Sequence, residues 1–217
     1  MNNKYDLAIF DLDGTLLDTS DGVLSAVQYT VKEHGLKPLS PEELESFIGP
    51  PVQRRFKELY QVSQEQADEY ANTFRNQYKD ADLLKATPYK DIFHVFQELI
   101  DRGIKPAIAT YKRQDYTDRL LHYFGFDDYT DIIYGSDFSG ELMKSDIIQL
   151  CVDKAGVKDK ARIVMIGDTG HDAIGAQGLD MDFIGVTYGF EFHCADDVKK
   201  YNYVGIAETT KDIMKFV

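Results

Sequence analysis

The chain has 217 residues, 43% hydrophobic and 28% charged, with 24 Lys and Arg against 37 Asp and Glu, so its formal net charge is −13. This composition excludes a wholly disordered chain, and the length suits one domain with an insertion, or two modest domains. The charge argues against a nucleic-acid or anionic-membrane binder, because phosphate polymers are repelled at long range; a local pocket can still oppose that field for a small phosphorylated ligand.

The two cysteines, Cys151 and Cys194, set no disulfide framework and fit free thiols. The first residues carry no long apolar stretch of the secretory kind. No apolar run approaches the roughly 20 residues of a membrane span. A soluble, cytoplasmic protein is expected.

In chain order, the first predicted element is Leu7-Ala8-Ile9-Phe10, a short apolar run that fits a strand buried on both faces. Residues 18–85 then offer helical patterns and no convincing strand. One helix ends near Gly35, Ser40-Pro41 starts another, and 53–60 and 63–78 come next. Ile48-Gly49-Pro50-Pro51 cannot continue a helix and reads as a turn. Strands are next predicted at 104–110, 163–166 and 183–186, with weaker candidates at 132–134 and 203–206. Helical patterns at 92–99, from Lys144 to Ala155 and at 172–177 alternate with them. Strands alternating with helices imply a parallel sheet covered on both faces.

The strand ends carry the chemistry. Asp11-Leu12-Asp13-Gly14-Thr15 leaves the first strand, and carboxylates two residues apart point to one side of a strand. Two anions held together call for a cation, and Mg2+ suits oxygen ligands. A plain polar exit from a strand is the alternative. Gly167-Asp168-Thr169-Gly170-His171-Asp172 comes after a second strand. If a helix begins there, Asp168 and Asp172 share a face; a capping role for Asp168 with Asp172 as a first-turn anion is about as common a use of such residues. Thr110 ends a third strand, where a hydroxyl and free N–H groups suit a phosphate oxygen. Lys144 opens a helix against the macrodipole, which is unexpected without an anion nearby.

This order of motifs, spanning Asp11 to Asp172, resembles the haloacid dehalogenase superfamily, and its phosphoglycolate phosphatase-like members in particular. The helical block is similar to that family's small α-helical cap, and the turn at Ile48-Gly49-Pro50-Pro51 to a loop within it. The resemblance implies an α/β fold: a doubly wound, Rossmann-like parallel sheet from residues 1–17 and 86–217, with an inserted α-helical cap at 18–85. It implies Asp11 as nucleophile and Asp13 as general acid and base. Thr110 and Lys144 would hold the phosphoryl group. Mg2+ would be bound by Asp11, Asp168 and Asp172, with the backbone carbonyl of Asp13. The cap is expected to cover the site. Tyr111 and Ser145 depart from the family pattern, which often has a polar residue after the Thr and a Pro after the Lys.

Arg54, Arg55 and Lys112 are candidates for the rest of the substrate, although solvation is the commoner role for such residues. His171 reads as a turn residue. The expected function is a Mg2+-dependent phosphatase acting on a small phosphorylated metabolite, phosphoglycolate or a relative, as a monomer or homodimer with no nucleic-acid or membrane partner. A 5'-nucleotidase, a sugar-phosphate phosphatase and a phosphomutase remain open on the same scaffold. From another class, a phospho-receiver module would use similar residues but needs no Asp13 and no cap of this size; an idle interaction protein would not need the full set of charged residues.

Overall fold

The computed structural model describes residues 3–48, 51–137 and 141–217. Gly49 and Pro50, half of the expected turn at 48–51, lie outside them. In chain order the elements are β1 (Leu7–Phe10), β2 (Leu17–Asp18), α1 (Ser20–Glu33), α2 (Pro41–Glu45), α3 (Val52–Tyr60), α4 (Gln64–Gln77) and β3 (Thr87–Pro88). After these come α5 (Ile92–Asp101), β4 (Lys105–Arg113), α6 (Gln114–Phe124), β5 (Ile133–Ser136), α7 (Lys144–Ala155), β6 (Ile163–Gly167), α8 (Gly170–Gln177), β7 (Asp182–Val186), α9 (Ala195–Val198) and β8 (Gly205–Ala207). The chain forms two compact units, Met1–Asp18 with Pro88–Val217, and Thr19–Thr87.

The first unit is built on a six-stranded sheet in the order β5-β4-β1-β6-β7-β8. Every pairing in it is parallel, so both faces must be covered by crossover helices. The period of two divides β1 between these faces. Ile9 belongs with Ala107, Met165, Ile148 and Cys151 in one buried cluster that includes α7 and α8. Phe10 turns the other way and meets Phe96 of α5 at 4.9 Å between ring centres. β1 is buried at all four positions, as its unbroken apolar run implied. This is the doubly wound α/β fold expected from the alternation of strands and helices.

Two elements depart from expectation. β4 runs on past Thr110 to Arg113, and its pairing with β5 shifts register between Ala109 and Arg113. A polar residue in mid-strand looks like a terminus in the sequence because the irregularity leaves no periodic trace. α8 starts at Gly170, with Thr169 as its extended N-cap receiving the Asp172 N–H. Asp168 therefore precedes the helix and does not cap it.

The second unit is helical, packed around Phe47, Phe56, Tyr70 and Phe74. Phe47 and Phe56 lie 4.8 Å apart, and Phe56 meets Tyr70 edge-on at 5.7 Å. Capping boxes at Ser40 with Glu43 and at Ser63 with Gln66 start α2 and α4, satisfying donors that a helix start leaves open. α4 ends in a π-helical turn, Tyr78–Asp82. The fully buried Asp82 accepts hydrogen bonds there from Ser25 and Gln77, both 2.9 Å, and pairs with Lys85 at 2.7 Å. Back in the α/β unit, the Tyr89 N–H donates to the Leu16 carbonyl at 3.0 Å.

Candidate active site

The register of the sheet gathers the acidic residues. Phe10 pairs with both Ile108 and Ile166, so Asp11 leaves the central strand where Thr110 and Asp168 each lie two residues beyond its partners. The Asp11 N–H donates to the Ile166 carbonyl at 2.9 Å and fixes the exit of β1 against β6. Carboxyl ends of parallel strands are where α/β folds place ligands.

Asp11, Asp168 and Asp172, all buried, bring carboxylate oxygens within 4.8 Å of one another. Lys144, 3% exposed at the first position of α7, donates from Nζ to Asp11 Oδ1 and lies 2.7 Å from Asp172 Oδ1. Asp168 Oδ1 accepts from the Thr15 hydroxyl at 3.2 Å, and Oδ2 from the Phe190 N–H at 2.7 Å. Asp172 Oδ2 accepts from the Thr169 hydroxyl at 2.8 Å, so this carboxylate caps α8 with one oxygen and faces Lys144 with the other.

Burial dominates the titration of these groups. It pushes Asp11 well above the ordinary carboxylate range; the Lys144 charge opposes the shift, while Asp172, Asp168 and Asp13 add to it. Asp168 is pushed up to about 7, by burial first and the Asp172 charge second. Lys144 suffers the opposite burial effect, but Asp11 and Asp172 outweigh it and hold its ammonium above the usual lysine value.

These residues fit a hard divalent cation. Three buried carboxylates face one ammonium, an excess of negative charge that a low-dielectric site does not tolerate without a counter-charge. Asp172 Oδ1 is buried and its one close polar neighbour among the described contacts is the Lys144 ammonium at 2.7 Å, which Asp11 shares. All donors are oxygens, the set Mg2+ prefers.

The remaining expected residues are placed differently. Asp13 is partly exposed, and its Oδ1 lies 3.0 Å from Lys112 Nζ. Lys112 is thus placed on the second carboxylate of the motif. The buried Thr110 hydroxyl accepts the Lys112 N–H at 3.1 Å. Arg54 stands on α3 in the helical unit, its side chain 74% exposed and paired with Glu58 at 2.7 Å. Arg55 binds Glu58 and Ser46 in the same unit.

Other contributors carry little signal in the sequence. The stretch after β7 braces Asp168: Phe190 donates to its carboxylate and the Phe192 N–H to its carbonyl at 3.0 Å. The hydroxyl of the half-buried Tyr188 donates to the Thr15 carbonyl at 3.0 Å. A Cβ at Gly14 or Gly189 would overlap Asp168, and Gly14 also sits at φ +81°, a conformation that favours glycine. Gly14 is visible within the first motif. The Tyr188–Phe192 segment has no such mark; its one signal is its position just beyond the carboxyl end of a buried strand, β7.

A parallel sheet with a buried carboxylate, a lysine and a cation-ready acidic cluster at its carboxyl end is an arrangement suited to phosphoryl transfer. The chain matches the haloacid dehalogenase-like hydrolase family over residues 8–186 and belongs to it. It is 32% identical over 188 residues to a 5'-nucleotidase of Pseudomonas aeruginosa, covering 86% of this chain and 85% of that one. It is 27% identical over 164 residues to a phosphoglycolate phosphatase of Aquifex aeolicus, covering 76% of each. Among solved structures, a chain from Clostridium difficile assigned as a phosphatase superposes with a TM-score of 0.91 at 32% identity, covering 99% of both. The chain is an enzyme, a phosphatase of the haloacid dehalogenase type.

Proposed function

We propose that the enzyme hydrolyses a small soluble phosphomonoester through a phosphoenzyme on Asp11, with Mg2+ as its cofactor. The observation that carries this reading is the buried Asp11 carboxylate, bonded to Lys144 and clustered with Asp168 and Asp172. An Asp11 oxygen attacks phosphorus while the bond to the leaving alkoxide breaks, and Asp13 gives that oxygen its proton. Asp13 then takes a proton from water, whose oxygen attacks phosphorus, releases phosphate and restores the Asp11 carboxylate. Thr110 holds a phosphoryl oxygen, and Lys144 neutralises charge on the transferring group. Asp11, Asp168 and Asp172, with the Asp13 carbonyl, would hold Mg2+, which would supply the positive charge that lets a carboxylate approach a phosphate dianion. In this reading the helical unit is the cap, and the unbridged Cys151 and Cys194 favour a cytoplasmic setting.

Two substrate classes have support. Phosphoglycolate is named for the Aquifex relative, and a nucleoside monophosphate is suggested by the Pseudomonas relative. A phosphate-release panel over both classes, sugar phosphates and a generic aryl phosphate decides between them. Retention of the phosphoryl group on a second acceptor would mark a phosphomutase.

Asp11→Asn is expected to abolish turnover, by at least ~10³-fold, with the fold kept by circular dichroism. Full activity in a purified, Mg2+-loaded variant would exclude Asp11 as nucleophile. EDTA is expected to silence the wild type and Mg2+ to restore it; activity that survives complete chelation would rule out the cofactor.

A further inference from the structure

Tyr111, one of the two residues that depart from the family pattern, is tied to the site at three points. The Lys144 backbone N–H donates to its hydroxyl at 2.8 Å. Its ring lies 5.7 Å from Lys144 Nζ, within cation–π range. The His171 ring meets it edge-on at 5.4 Å, against the start of α8. The first contact answers a specific need. The Lys144 N–H lies in the first turn of α7 and has no partner within the helix. Met143, at the N-cap, has no side-chain oxygen to offer, and its own N–H is taken by Asp146 Oδ2 at 2.8 Å. Asp146 caps the Met143 N–H locally, and the partner for the Lys144 N–H comes from β4, far away in sequence.

We infer that Tyr111 is a positioning residue for Lys144: it accepts the Lys144 N–H from β4 and locks the lysine against Asp11 and Asp172. Residues 110–112 then serve one site in succession. Thr110 presents a buried hydroxyl, Tyr111 holds Lys144, and Lys112 reaches Asp13. In a regular strand these neighbours would alternate between faces; the register shift after Ala109 marks where β4 stops being regular. The inference rests on the proposed role of Lys144 only for its kinetic consequence, and its structural half stands apart.

Tyr111→Phe keeps the ring and removes the acceptor. In amide hydrogen exchange followed by NMR, the Lys144 N–H of the variant is expected to exchange at least ~10-fold faster, while core amides such as that of Ile166 keep their rates. An unchanged Lys144 amide overturns the inference whether or not the enzyme is active on any chosen substrate. With Mg2+, kcat is expected to fall about 10-fold through loss of lysine alignment, equally for an aryl phosphate and an alkyl phosphomonoester, with KM within about twofold. This pattern arises because Lys144 serves the phosphoryl group and not the leaving group. A loss confined to the aryl substrate, or carried by KM, overturns the inference and makes Tyr111 a substrate contact. Wild-type failure on both probes would count against the phosphomonoesterase reading alone, since the exchange measurement does not depend on it.

Discussion

At the scale of single residues, the site is a problem in confined charge. Asp168, Asp11 and Asp172 are buried together with one lysine, which gives the metal-free protein a particular pH dependence. The folded state holds Asp168 at about 7, against 3.8 as its ordinary value. Between those limits the native state binds more protons than the unfolded chain, so stability is greatest at the acidic end and falls as pH rises towards 7. At about 1.4 kcal/mol per unit, EDTA-treated protein is expected to lose roughly 3 kcal/mol between pH 5 and pH 8. Urea melts at the two values check this, and Mg2+ should abolish the loss by taking the proton's place. Gly14 offers a second test. Gly14→Ala forces a side chain into a left-handed conformation and into Asp168, and should cost about 2 kcal/mol or more. A weakened response of the melting temperature to Mg2+ should accompany that loss.

At the scale of elements, strands and helices are legible where one pattern rules. β1 is an unbroken apolar run buried on both sides, and α2 and α4 start where Ser40 and Ser63 can close capping boxes. Ser63→Ala is expected to cost about 1 kcal/mol, lowering the melting temperature by about 3 °C; calorimetry reads this directly. Legibility fails where tertiary contacts override local signals. Nothing in the sequence near Thr110 reveals that β4 runs on to Arg113, because a register shift is a property of two strands. Asp168 and Asp172 do converge, but by a strand exit and a first helical turn and not by a shared helix face. Aspartates and a lysine at element ends can be found one by one, whereas Tyr111 and the Tyr188–Phe192 brace become meaningful only once distant segments meet. In the sequence Lys112 is a candidate substrate contact with solvation the commoner role, and nothing there shows that its ammonium lies on Asp13.

At the scale of the whole molecule, a net charge of −13 surrounds an enzyme that acts on a phosphate. The long-range field repels its own substrate, so kcat/KM for a dianionic phosphomonoester should rise about two- to threefold as ionic strength increases from ~10 to ~150 mM; a neutral or falling trend in stopped assays would show that local charges dominate capture. The hydrogen bond from Tyr89 to Leu16 has a consequence of a different kind. It joins the chain just before the helical unit begins to the chain just after it ends, so the sheet domain is already sewn shut at the seam. Replacing residues 19–87 with a short Gly-Ser linker should leave a cooperatively melting α/β domain, observable by circular dichroism. A body closed in this way can exchange or lose what is spliced into the seam without relearning how to fold. Under the proposed reading of the helical unit as a cap, heredity is then free to revise substrate choice there while the phosphoryl chemistry stays with the sheet.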